Sequence, residues 1–153
     1  MKKIFFNRWY LFELLMVSIF TFVLVVFVQI LINWFLGLES ESESASGNNI
    51  QFLHFVILAP IVESIISFFV LLIFGLFFKK IVASILLGFL WGGLHSTLLD
   101  GIYSYVFFAV AFVAFFIYSM LYFKYKEYGN VNAVFSMILP HSFHNFYVFL
   151  FSL

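Results

Sequence analysis

Four polar side chains able to carry acid–base or hydrogen-bonding chemistry lie inside long apolar stretches of the sequence: Glu63, His95, His141 and Asn145. A carboxylate can take a proton from water, an imidazole can hold that water, and an imidazole or carboxamide can donate hydrogen bonds to a developing oxyanion. An ionisable residue at the centre of a membrane helix costs ~2.5–3.5 kcal/mol, whereas a leucine or phenylalanine contributes only ~0.3–0.6 kcal/mol. Such residues therefore need partners and mark candidate sites.

The composition predicts that these residues belong to a membrane protein. Of 153 residues, 65% are hydrophobic, 9% are charged and 26 are phenylalanine, and so few charges cannot cover that much apolar surface in water. Runs of about 20 apolar residues can cross ~30 Å of hydrocarbon. Five such runs are predicted, at residues 10–38, 52–78, 81–99, 102–123 and 131–153. The expected fold is an all-α, polytopic bundle of five transmembrane helices, with the lipid bilayer as its surroundings.

The chain is expected to form a single transmembrane domain over residues 1–153. It divides into an N-terminal anchor helix at 1–38, a polar outer loop at 39–51 and a four-helix core at 52–153. The absence of cysteine excludes disulfides, thiol nucleophiles and thiolate metal sites. No nucleotide or phosphate motif occurs, and no nucleic-acid partner is expected.

The distribution of charge predicts the orientation in the membrane. If the spans alternate in direction, all seven basic residues fall on one side: Lys2, Lys3, Arg8, Lys79, Lys80, Lys124 and Lys126. The positive-inside rule then places the N-terminus in the cytoplasm and the C-terminus outside. We expect a multi-pass protein of a prokaryotic plasma membrane.

The polar residues occur at overlapping depths on three of the five spans. Glu63 lies eleven residues into the second span, which is ~16 Å along a helix and near the midplane. His141 lies ~18 Å from the outer end of the fifth span, and His95 is shallower, on the third. His141 and Asn145 are four residues apart and therefore share one helix face. This face is expected to turn away from lipid.

Prolines and small residues accompany these positions. Pro60 precedes Glu63 by one turn and Pro140 adjoins His141, so each is expected to bend its helix and to free a carbonyl four residues earlier, on Val56 and Ser136. In the third span a four-residue repeat of small residues predicts close packing against a neighbouring helix. The repeat comprises Ser84, Gly88 and Gly92, and Gly93 is expected to widen its face.

The motifs "APIVES" with Glu63, "WGGLH" with His95 and "HSFHN" with His141 and Asn145 together resemble those of the CPBP family. This family comprises glutamic intramembrane proteases, among them CAAX prenyl endopeptidases and proteins of bacteriocin processing and self-immunity. Its pattern is Glu-Glu-xxx-Arg, Phe-xxx-His and His-xxx-Asn on successive helices, with one helix between the second and third motifs. The three motifs here follow that order, and the resemblance covers residues 60–145.

The resemblance implies hydrolysis of a peptide bond in a membrane-associated peptide or protein. Glu63 and His95 would activate a water molecule, and His141 with Asn145 would form the oxyanion hole. This scheme requires no metal ion or other cofactor. The position of the polar groups toward the outer side favours an exported substrate.

The chain departs from the family pattern at three positions: Ser64 replaces the second glutamate, Phe68 the arginine and Trp91 the phenylalanine. The first two losses leave open a non-catalytic immunity, scaffold or transporter-like protein. A second alternative is a membrane protein in which histidines ligate haem or, with Glu63, a divalent metal. No HExxH motif supports a zinc protease.

Overall fold

The computed structural model describes residues 7–37 and 52–151. These residues form five α-helices: α1 (Arg8–Leu36), α2 (Ala59–Phe77), α3 (Lys80–Ser96), α4 (Tyr103–Tyr125) and α5 (Asn130–Phe151). A π-helix (Leu53–Leu58) leads directly into α2, and a 3-10 turn (Lys126–Tyr128) follows α4. No strand occurs within the described ranges. The predicted outer loop at 39–51 lies outside them.

The prediction of an all-α bundle is confirmed, with one helix at each predicted span. Three segments are long and apolar enough to cross a membrane: α1, the continuous rod Leu53–Phe77, and α4 with its 3-10 turn. With 17 residues, α3 is shorter and contains His95. Helix α5 contains His141 and Asn145. Many large apolar side chains remain on the outside of the bundle, as expected for a surface that faces lipid.

Helices α4 and α5 form the centre of the bundle. Helix α1 packs against both, while α2 contacts α5 and α3, and α3 packs along α4. Two glycines allow α3 and α4 to approach closely. A Cβ added to Gly88 would lie 2.9 Å from the Phe112 carbonyl oxygen, and a Cβ added to Gly92 would lie 2.9 Å from the Phe108 carbonyl oxygen. The predicted small-residue interface is therefore confirmed.

Gly93 does not take part in this interface. A Cβ at Gly93 would meet nothing within 4 Å. The prediction that this residue widens the small-residue face is wrong, because Gly93 is one residue beyond Gly92 and a turn of ~100° per residue points it away from α4.

Charged side chains gather at one end of the bundle. Lys124 contacts the carboxylate of Glu13, which also accepts a hydrogen bond of 2.7 Å from the Tyr125 hydroxyl. Lys80 Nζ lies 4.0 Å from Glu127 Oε1. The beginnings of α1 and α3 and the end of α4 are thus adjacent, as alternating spans require. Lys2 and Lys3 lie outside the described residues, and the cytoplasmic assignment of this end stays a prediction.

Candidate functional site

The π-helix before α2 explains the position of Asn145. In the π-helix the Ala59 N–H bonds to the His54 carbonyl, five residues earlier. In the same register the Phe55 carbonyl faces the nitrogen of Pro60, which has no hydrogen to donate. Asn145 Nδ2 supplies the missing donor and bonds to the Phe55 oxygen at 2.9 Å. Helix α5 is thereby joined to the segment that leads into the candidate site.

This bond changes two expectations drawn from the sequence. The carbonyl that faces Pro60 is that of Phe55 and not that of Val56, because the local register is π and not α. One amide hydrogen of Asn145 is also committed to the backbone, so at most the other is available to a bound molecule.

Glu63 and His141 come together between α2 and α5. Glu63 Oε2 lies 3.6 Å from His141 Nε2, which is near but longer than a hydrogen bond. The His141 residue is 5% exposed, whereas the Glu63 side chain is 20% exposed. Glu63 Oε2 and His141 Nδ1 are both buried and have no hydrogen-bond partner within the described ranges. The pair can therefore offer an acceptor and a donor to one bound polar molecule.

His95 lies at the end of α3 with a fixed ring orientation. Its Nδ1 is 2.9 Å from the Trp91 carbonyl oxygen. Because a carbonyl only accepts, Nδ1 carries the hydrogen and Nε2 keeps its lone pair. No hydrogen bond or ion pair in the described part of the chain joins His95 to Glu63. The sequence pattern paired Glu63 with His95, whereas the imidazole beside the carboxylate is that of His141.

Phe115 on α4 contacts both imidazoles. Its ring centroid is 5.8 Å from that of His95 and 5.1 Å from that of His141. The Trp91 indole stacks on Phe115 at 4.7 Å and donates a 2.8 Å hydrogen bond to Ser67 Oγ on α2. Phe115 and the Trp91–Ser67 bond therefore hold α2, α3 and α4 around the site.

Tyr118 is a site residue that the sequence did not reveal. It is 1% exposed, and its ring stacks on that of His141 with centroids 5.1 Å apart and planes at 26°. Its hydroxyl has no hydrogen-bond partner among the residues described. The sequence signal that could have indicated Tyr118 is its place in the middle of an apolar helix, because tyrosine in membrane helices is common at the interfaces.

Two positions that depart from the family pattern, Ser64 and Phe68, make no side-chain hydrogen bond in the described ranges. Ser64 is 1% exposed, and its hydroxyl has no partner in the described ranges. Phe68 is half-buried and packs against the main core, with Lys126 Nζ 5.2 Å from its ring centroid. The cation nearest to this ring thus comes from the turn after α4.

Neither a metal cluster nor the cleft at the charged end of the bundle coincides with these residues in the described part of the chain. No group of three or more His, Cys, Asp or Glu side chains that could hold a metal ion occurs among the residues described. A cleft of about 380 Å³ opens at the charged end of the bundle, lined by residues such as Trp9, Lys80 and Tyr128. None of the four predicted site residues lines it.

No family model matches the chain, and no curated protein or solved structure matches it. The resemblance to CPBP proteases therefore depends on the three sequence motifs.

Proposed function

We propose that the protein is a metal-independent intramembrane endopeptidase that hydrolyses a peptide bond in a membrane-associated peptide or protein. The observation that carries this proposal is the 3.6 Å approach of a carboxylate from α2 to an imidazole from α5 inside a bundle of apolar helices. Ionisable groups inside a membrane protein are costly and mark functional sites. The other polar groups near this pair support the same reading.

Glu63 acts as the general base in this scheme. It takes one proton from water while the water oxygen adds to the carbonyl carbon, and the electron pair of the C=O π bond moves to the carbonyl oxygen. When that pair returns, the C–N bond breaks and the leaving nitrogen takes the proton from Glu63. The products are a carboxylic acid and an amine, and the net reaction consumes one water.

The two imidazoles serve as hydrogen-bonding groups of the site, with that of His141 beside the carboxylate. His141 donates to the oxyanion, since it adjoins Glu63 and has an unused ring nitrogen. His95 holds the attacking water through Nε2, which the bond from Nδ1 to the Trp91 carbonyl leaves as an acceptor. The partial exposure of Glu63 suits the entry of an extended substrate from the surface of the bundle.

A second candidate function is binding without hydrolysis, as in an immunity or scaffold protein. The observation that favours it is the apolar packing of Phe68 and the burial of Ser64, at positions where the resembled motif has an arginine and an acid. In this case the polar groups of the site would recognise a membrane peptide without activating water.

Mass spectrometry of membrane peptides separates the two functions. Membranes that contain wild-type protein are compared with membranes that contain an equal amount of Glu63→Gln. Glutamine keeps the shape of the side chain but cannot accept the proton. Glu127→Gln is the matched control, since Glu127 is 72% exposed at the charged end of the bundle. We expect new peptide termini with wild type and Glu127→Gln and none with Glu63→Gln. The same termini with all three proteins would refute the protease function.

A further inference from the structure

The hydroxyl of Tyr118 is buried without an evident structural use. The residue is 1% exposed, and its oxygen makes no hydrogen bond within the described ranges. A buried hydroxyl without a partner destabilises the folded protein, so phenylalanine would be the more favourable residue if only packing mattered. Tyr118 therefore has an unused hydrogen-bond donor at a position where such a donor is costly.

The surroundings of this hydroxyl indicate what it serves. The Tyr118 ring stacks on His141, whose Nε2 lies 3.6 Å from Glu63 Oε2. Groups from α2, α4 and α5 thus converge, and each contributes a buried polar atom that the described residues leave unpaired: Glu63 Oε2, His141 Nδ1 and Tyr118 Oη.

The bond between Asn145 and Phe55 leaves Asn145 with at most one amide hydrogen for the expected oxyanion hole. The resemblance to CPBP proteases assigns that hole to His141 and Asn145, but Asn145 Nδ2 donates to the Phe55 carbonyl at 2.9 Å. A tetrahedral oxyanion is best stabilised by two or more preorganised donors. Tyr118 stacks directly on the His141 ring and has a hydroxyl donor without a partner in the described ranges.

We propose that the Tyr118 hydroxyl is a catalytic hydrogen-bond donor to the oxyanion, beside His141. This inference rests on the proposed function and adds a residue to it. The proton of Tyr118 stays on its oxygen throughout. Water supplies the oxygen of the new acid, and Glu63 carries the transferred proton to the leaving nitrogen. Tyr118 contributes only a hydrogen bond, which strengthens as charge moves onto the carbonyl oxygen.

The test compares Tyr118→Phe with Tyr122→Phe, using a peptide that wild type cleaves and Glu63→Gln does not. Tyr122 is the matched control because it lies one turn further along α4, is also 1% exposed, and contacts Phe68 and Lys126. We expect Tyr118→Phe to lower kcat by about 10²–10³-fold with KM unchanged, the effect of removing one oxyanion donor in other hydrolases. Tyr122→Phe should keep the wild-type kcat. The thermal unfolding midpoint of Tyr118→Phe should not fall.

A variant with 3-fluorotyrosine at position 118 keeps the donor and should retain most of the wild-type kcat. Tyr118→Phe with wild-type kcat would overturn the assignment, and so would fluorotyrosine with the loss seen for phenylalanine. A fall in unfolding midpoint that accompanies the loss of activity would assign Tyr118 to packing instead. These failures are distinct from that of the proposed function, which fails only if Glu63→Gln remains active.

Discussion

Replacement of Asn145 by leucine removes the side-chain donor to the Phe55 carbonyl, while leucine fills nearly the same volume. The bond is 2.9 Å long, and Asn145 is 8% exposed. The Phe55 carbonyl has no backbone donor in the π register because Pro60 lacks an N–H. In an apolar bundle few other donors are available, so we expect the variant to be less stable.

The size of the effect follows from two general measurements. A buried carbonyl without a donor costs ~1–3 kcal/mol. Interhelical hydrogen bonds in a membrane protein average ~0.6 kcal/mol and reach ~1.7 kcal/mol. Because this carbonyl has no alternative donor, we expect a loss of about 1–2 kcal/mol in the free energy of unfolding. For a chain of this size, that loss lowers the unfolding midpoint by about 2–8 °C.

The decisive assay is a double-mutant cycle with Pro60→Ala. Alanine at position 60 restores a backbone N–H that can bond to Phe55, so the loss of Asn145 should cost less than about 0.5 kcal/mol in that background. The four proteins are purified in one mild detergent, and thermal unfolding is followed by far-UV circular dichroism. Asn132→Leu is the control, because the Asn132 amide bonds locally to the Tyr128 carbonyl at 2.7 Å.

An equal cost of Asn145→Leu with proline and with alanine at position 60 would refute the reasoning. It would mean that the stabilisation by Asn145 does not come from the carbonyl that Pro60 leaves without a donor. A cost of Asn132→Leu that also depends on position 60 would show a general weakening of the bundle and would refute it as well.

Three further predictions concern the packing that holds the site. Gly92→Ala should destabilise the protein by about 1–3 kcal/mol, because the new Cβ would lie 2.9 Å from a carbonyl of α4. Gly93→Ala, with open space around it, should be neutral or stabilising in the same thermal unfolding assay, and equal effects of the two would contradict the packing. Trp91→Phe should lower stability by about 0.5–1.5 kcal/mol through loss of the bond to Ser67, and Ser67→Ala in that background should then cost little. Lys124→Gln should change stability by less than about 1 kcal/mol, since its ion pair with α1 is partly exposed, and a larger loss in unfolding free energy would contradict this.

The sequence by itself determined the class of protein and the places of its helices. Apolar runs of membrane-spanning length predict helices because a backbone in lipid must satisfy its hydrogen bonds within the segment. This rule is local, so the helical segments begin and end within about three residues of the predicted spans when the π-helix is counted with α2. The spacing of Gly88 and Gly92 was equally readable, because small residues four apart must share a helix face.

Only the tertiary structure decided which polar groups meet. Depth along a helix can be counted from sequence, but the rotation of each helix about its axis depends on packing against its neighbours. That rotation places His141 beside Glu63 and brings the Tyr118 phenol onto the same imidazole. It also puts Phe115 in contact with both His141 and His95. The choice of a π register over an α register, which commits Asn145 to a backbone carbonyl, likewise depends on a donor from another helix. Such contacts join residues far apart in the chain, and no local pattern of residues encodes them.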